Sequence, residues 1–173
     1  EYMYTVRGWN EDSMHVALTS LDPATGEIVA EYGGKDYLTR QQNAATQDIM
    51  AAGSTFKPFA LVAHAEQGGS IYDVYDGSSP KTFSGMSRAV SNDSGVSWGR
   101  QNLVNATKNS INTVFVGLNQ EVGPATTKKV AIDLGIPEDT SGLDDSLLNV
   151  LGFAAPHNID LAHAYSTIAS GGK

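Results

Sequence analysis

The sequence predicts an α+β fold opening on an antiparallel hairpin, and three observations predict it. Apolar and polar residues alternate with period two over 15–34, broken by a five-residue turn cluster. From residue 54 onward the apolar spacing becomes that of helices. With 173 residues and 40% hydrophobic content, the chain is long enough to bury a core. Two clear strands stand against four or five helical segments, too few for a sheet that a helical layer could cover, so the chain reads as an incomplete fold.

In the first hairpin arm Val16, Leu18 and Ser20 alternate with Ala17, Thr19 and Leu21. In the second, Ile28, Ala30 and Tyr32 alternate with Val29 and Glu31. Between them lies Asp22-Pro23-Ala24-Thr25-Gly26, in which proline presets φ, aspartate caps the turn and glycine takes the left-handed position. Next, Phe56, Phe59, Ala60 and Ala63 share one helical stripe that ends at Gly68-Gly69. Pro58 would clash with a preceding carbonyl deep inside a helix, so the helix begins within about one turn of it and Ser54 sits near its N-terminus.

Residues 72–100, rich in Ser, Gly, Asp and Asn, read as loops and short pieces. Helices are predicted over 102–108 and 113–122, then over 125–134 after Gly123-Pro124, stopped by Gly135. A last helix starts at Asn158 as N-cap and carries Ile159, Leu161, Ala162, Tyr165, Ile168 and Ala169 before Gly171-Gly172. No internal repeat is present.

Composition removes several function classes. Eleven Lys and Arg against 19 Asp and Glu give a net charge of −8 with no basic run, which leaves no electrostatic footprint for nucleic acid or an anionic membrane. The absence of cysteine excludes disulfides, thiol catalysis and iron–sulfur ligation but is silent on compartment. No stretch approaches the ~20 apolar residues of a membrane span. Residues 1–13 are polar and acidic, unlike a signal peptide, so a targeting segment would lie outside this sequence. His15, His64, His157 and His163 lack metal-ligand spacing, and no metal or cofactor is assigned. Glu11-Asp12 and Asp144-Asp145 read as solvated charge, and Trp98 as local core rather than a ligand-stacking residue.

The tetrad Ser-x-x-Lys puts a hydroxyl and an amine on one helix face, but it occurs three times: at Ser54–Lys57, Ser78–Lys81 and Ser170–Lys173. Pro80 disfavours a helix across the second, and two glycines weaken the third. Only Ser54–Lys57 begins a convincing amphipathic helix, where the ordinary use of Ser54 is as an N-cap. Gly53 beside it permits close approach of a backbone or substrate, and the helix N-terminus favours a developing oxyanion. A second constellation, Ser110-Ile111-Asn112, sets a hydroxyl and an amide two apart, with a cap for the following helix as its ordinary use.

Gly53-Ser54-Thr55-Phe56-Lys57-Pro58-Phe59 resembles the nucleophile motif of penicillin-binding proteins, and Lys108-Asn109-Ser110-Ile111-Asn112-Thr113 their second motif, with the family's spacing of roughly fifty residues between them. Residues 21–30 with Gly33-Gly34 are similar to the opening of class A transpeptidase domains, and 155–172 to the helix before their third motif. The third motif itself, Lys-Thr/Ser-Gly, is absent: Lys81-Thr82-Phe83 lacks the glycine and Lys173 is last. Ala52 stands where many relatives have proline. The resemblance therefore implies a serine β-lactamase/DD-peptidase-like fold, with residues 1–173 forming the N-terminal part of one transpeptidase domain.

It implies, further, acyl transfer without a cofactor at the extracytoplasmic face of the cell envelope. Ser54 would attack a peptidoglycan stem peptide ending in D-Ala-D-Ala, with β-lactams as covalent inhibitors. Lys57, its pKa lowered, would be the base; Ser110 would shuttle a proton to the leaving amine; Asn112 would hold the substrate amide and Lys57. The Ser54 N–H would supply half an oxyanion hole. A C-terminal fragment of the same parent domain would supply the rest, leaving this chain alone weakly active or inactive. A serine β-lactamase, a D-alanyl carboxypeptidase and a non-catalytic penicillin sensor are the alternatives, separated by the fate of the acyl adduct.

Overall fold

The computed structural model describes residues 14–172, so the opening 1–13 with Glu11-Asp12, and Lys173 of the third tetrad, lie outside it. The chain divides into two compact units. One takes the chain up to Met50, Leu134–Pro137 and the chain from Pro156; the other takes Ala51–Asp133 and Glu138–Ala155.

In the first unit β1 (Leu18–Leu21) and β2 (Ile28–Tyr32) pair antiparallel, Leu18 opposite Tyr32 and Ser20 opposite Ala30. Their turn is built as its residues dictate: the Ala24 N–H donates to Asp22 Oδ1 at 2.8 Å, and Gly26 takes φ 75°. A short helix α1 (Ala44–Gln47), not foreseen in the sequence, follows Asn43, whose side chain accepts from the Ala45 N–H. The closing helix, here numbered α6 (Asn158–Ala169), packs on β1. Its cap is His157 and not Asn158, because Asp160, three residues on, accepts the His157 N–H at 3.1 Å and completes a capping box. Asn158 instead accepts the Thr19 hydroxyl at 2.7 Å.

The second unit begins with a 3₁₀ turn, Gly53–Phe56, running into α2 (Lys57–Glu66) with Pro58 in the first turn, where its missing N–H costs nothing. The predicted stripe of Phe56, Phe59, Ala60 and Ala63 is fully buried, with the two phenyl rings edge to face at 4.7 Å. Residues 72–100 are loops and short pieces, as expected. They hold β3 (Val74–Asp76), which pairs antiparallel with β4 (Arg100–Asn102), and a bridge between Lys81 and Val90. Three-residue strands are too short to display an alternation.

Asn102 caps α3 (Leu103–Lys108) by accepting the Asn105 N–H at 2.9 Å, and α4 (Asn112–Val122) and α5 (Pro124–Asp133) follow. Helix α4 lies at the heart of this unit. Val114, Phe115, Val116, Leu118 and Val122 are buried, and α2, α3, α5, β3 and a 3₁₀ turn at Asn149–Leu151 pack around it. Each fully buried side chain of that size contributes roughly 1.5–3 kcal/mol of transfer free energy. The start of α2 and the start of α4 are thereby fixed against one core.

Candidate active site

Ser54 is placed by a backbone clasp between stretches a hundred residues apart in sequence. The Ala52 N–H donates to the Ala154 carbonyl at 2.8 Å, and the Gly53 N–H to the Gly152 carbonyl at 2.9 Å. Gly53 has φ 57° and Gly152 φ 78°, and a Cβ on Gly152 would overlap the Gly53 backbone. The close approach foreseen at Gly53 is thus made by a backbone, and the residue that must be bare for it is Gly152.

Buried amides hold the far side of the clasp. Asn149 Nδ2 donates to the Pro124 and Asp144 carbonyls at 3.0 and 2.9 Å, and its Oδ1 accepts from Asn119 Nδ2 at 2.9 Å. Asn119 Oδ1 in turn accepts the Thr127 hydroxyl at 2.6 Å. Every polar atom of these two amides is matched, which is the condition for burying them.

Lys57 starts α2 with its side chain turned inward, only 2% exposed. Its Nζ donates to Ser54 Oγ at 3.0 Å, Ser110 Oγ at 2.9 Å, the Ser110 carbonyl at 2.8 Å and Asn112 Oδ1 at 2.7 Å. The Phe115 ring lies 5.6 Å from it. These hydrogen-bond acceptors are uncharged, and burial pushes the ammonium down from 10.5 to about 8. An ammonium has three protons for these four oxygens; once deprotonated, the amine has a lone pair that can receive the Ser54 proton.

Ser110 sits in the turn from α3 to α4 with φ 52°, a left-handed conformation rare for a residue with a Cβ. That conformation accompanies an unusual chelate, in which one residue offers both carbonyl and hydroxyl to the same nitrogen. Asn112 opens α4, and its Nδ2 donates to the Ser91 carbonyl at 3.0 Å, which turns Oδ1 toward Lys57. The four residues singled out in the sequence therefore meet at one nitrogen. Neither serine, nor Asn112, caps its helix: the 3₁₀ turn, α2 and α4 start at Ala52, Phe56 and Ile111 without a side-chain cap bond.

The other candidates go elsewhere. The Ser78 hydroxyl and Lys81 Nζ both turn to Asp76, at 2.6 and 3.2 Å, and hold its carboxyl near pKa 2. Ser170 Oγ donates to the Thr167 carbonyl. His64 pairs with Asp73 at 2.9 Å and His15 with Asp48 at 3.0 Å. Among the described residues no group of three or more His, Asp or Glu is placed to hold a metal. Trp98, about one-third exposed, donates its backbone N–H to the Gly77 carbonyl.

Residues 16–173 match the family model described as the penicillin binding protein transpeptidase domain. Penicillin-binding protein 1A of Mycolicibacterium smegmatis is 34% identical over 176 residues, 94% of this chain and 22% of that protein. The structure of the PonA1 protein from Mycobacterium tuberculosis in complex with penicillin V superposes with a TM-score of 0.81 at 31% identity, over 97% of this chain and 46% of that one. Penicillin-Binding Protein 1A from Haemophilus influenzae gives 0.80 at 27% identity, over 88% of this chain and 23% of that one. The chain spans about a fifth of the length of the curated relatives it matches.

Proposed function

Since the chain belongs to the penicillin-binding protein transpeptidase domain family and has its fold, we propose that it carries the acylation centre of a peptidoglycan DD-transpeptidase. One observation carries the residue roles: a buried lysine nitrogen within 3.0 Å of the Ser54 and Ser110 hydroxyls and the Asn112 amide.

Lys57 as free amine takes the Ser54 hydroxyl proton while Oγ attacks the carbonyl of the penultimate D-Ala of a stem peptide. The Ser54 backbone N–H receives the developing oxyanion. Collapse of the tetrahedral adduct breaks the C–N bond, and the Ser110 hydroxyl delivers a proton to the departing D-Ala amine, recovering one from Lys57. An amine of a neighbouring strand then takes the acyl group by the reverse path. With its pKa near 8, about a tenth of Lys57 is free amine at pH 7, enough for a base that is regenerated each cycle. β-Lactams enter the same path and stall at the acyl-enzyme. The reaction belongs at the extracytoplasmic face of the cell envelope; among the described residues no helix is long and apolar enough to cross a membrane.

Residues 1–173 are read as the N-terminal part of that domain, and a further segment of the parent domain bearing Lys-Thr/Ser-Gly as the source of a second oxyanion donor. The chain alone is then expected to acylate ~10²- to 10³-fold more slowly than the intact protein, as measured with a fluorescent penicillin. Equal rates would remove that dependence. In the intact protein the label maps to Ser54 by peptide mass spectrometry and is lost in Ser54→Ala; a labelled Ser54→Ala variant would sink the assignment. Incubating the acyl-enzyme with an amine acceptor separates transfer from the hydrolysis of a lactamase or carboxypeptidase, and from the inert adduct of a sensor.

A further inference from the structure

Asn92 lies in the irregular segment before β4, where its sequence context of Ser, Asn and Asp suggests a solvated loop. It is instead 5% exposed, and all its hydrogen-bonding capacity is used. Its Nδ2 donates to the Gly77 and Val96 carbonyls, both at 2.9 Å. Its Oδ1 accepts the Thr113 N–H at 3.0 Å and the Thr113 hydroxyl at 3.1 Å, and its own N–H donates to Ser79 Oγ at 2.9 Å. Two donors and two acceptors around one amide leave a single consistent orientation for it.

The Thr113 N–H is one of the donors that a helix N-terminus leaves without an intrahelical partner. Because α4 has no side-chain cap of its own, Asn92 supplies that cap from twenty-one residues away. The flanking residue, Ser91, is the one whose carbonyl receives Asn112 Nδ2. Asn92 and Ser91 thus grip adjacent residues of the first turn of α4, one through its side chain and one through its backbone.

We infer that Asn92 is a positioning residue for acylation: by clamping residues 91–92 onto the start of α4 it fixes which end of the Asn112 amide faces Lys57. An amide is nearly symmetric in shape, and only the donor–acceptor pattern decides its flip. With the Ser91 carbonyl in place, Nδ2 is committed there and Oδ1 is left for the ammonium. If the clamp loosens, Asn112 is free to turn its NH₂ toward Lys57, which withdraws an acceptor from the charged form and sets a donor against it. The groups facing Nζ are then the Ser54 hydroxyl and the Ser110 hydroxyl and carbonyl, together with the Phe115 ring. Loss of the Asn112 acceptor therefore makes the ammonium more acidic.

This inference rests on the acylation reading above, and its test keeps the two apart by using one readout that needs no substrate. In the intact protein, Asn92→Ala and the near-isosteric, uncharged Asn92→Leu, each of which loses the donors and the acceptor of the amide, are compared with Val130→Ala, a core truncation on α5. Each is examined at a temperature where circular dichroism shows it folded. The Lys57 titration, followed by NMR on isotope-labelled lysine, is expected to move down by about one pH unit in both Asn92 variants, the size of one hydrogen bond to a charged group, and to stay in place in Val130→Ala. Acylation by fluorescent penicillin is expected to fall roughly 10- to 100-fold, with the rising limb of its pH profile displaced in the same sense. Should the folded Asn92 variants keep both the titration and the pH limb of the parent, Asn92 is only structural and the inference fails. If the titration moves but the unsubstituted protein takes no label at all, the hold of Asn92 on the Asn112 amide stands while its part in acylation falls with the proposed function.

Discussion

Lys57 is costly to keep charged where it sits. Between its buried value of about 8 and its ordinary 10.5, the unfolded chain holds a proton that the folded chain has released, so stability rises with pH through that window. The penalty is fully present below the window and amounts to about 3 kcal/mol before relaxation is allowed for. Chemical denaturation is expected to show the parent gaining on Lys57→Met as the pH is raised from about 8 to about 10.5, while Lys57→Met takes no penicillin label at any pH. A difference that is flat with pH would mean that the ammonium is not destabilised there. At Ser110, φ 52° predicts a separation of two effects. Ser110→Gly and Ser110→Ala both lose the hydroxyl and are expected to acylate equally slowly, but the glycine variant is more stable by about 1 kcal/mol because the left-handed backbone suits it. Ser54, Lys57, Ser110 and Asn112 could be singled out in the sequence only through the resemblance of their two segments to family motifs, since Ser-x-x-Lys by itself occurs three times and Ser-x-Asn is ordinarily a cap. Asn92 could not, since a buried amide in a Ser- and Asp-rich stretch is written in the same letters as a solvated one.

Among the elements, the 3₁₀ turn before α2 depends most on residues far from it. Its first N–H groups are taken by Gly152 and Ala154, and the 3₁₀ turn that presents those carbonyls is pinned by Asn149. Gly152→Ala combines φ 78° with a methyl group driven into the Gly53 backbone, and is expected to lose several kcal/mol of stability and essentially all labelling. Asn149→Ala strands the Asn119 amide as well as two carbonyls and is expected to cost about 2–4 kcal/mol by urea denaturation. The hairpin and α2 were legible because each repeats its period several times: the stripe of Phe56, Phe59, Ala60 and Ala63 is the buried face observed. The strands β3 and β4, of three residues each, repeat nothing. The cap of α6 shifts by one residue because Asp160 rewards His157, a partnership that a rule about Asn at the N-cap does not weigh.

Taken as a whole, residues 1–173 carry a net charge of −8, which predicts that neither duplex DNA nor anionic vesicles retain this chain at physiological salt, as sedimentation with each would check. The family could be recognised from four ordered segments, whereas the clasp at Gly152 could not, since Gly-Phe-Ala following a short apolar run marks nothing by itself. That clasp also sets a timetable. Residue 53 and residue 152 close a loop of about a hundred residues, and loops of that length pay their closure entropy late. Helical signal is therefore expected to return early when the chain refolds from urea, with antibiotic capture lagging behind it. A ribosome that has finished everything up to residue 150 has still not made the carbonyls that hold the turn bearing Ser54.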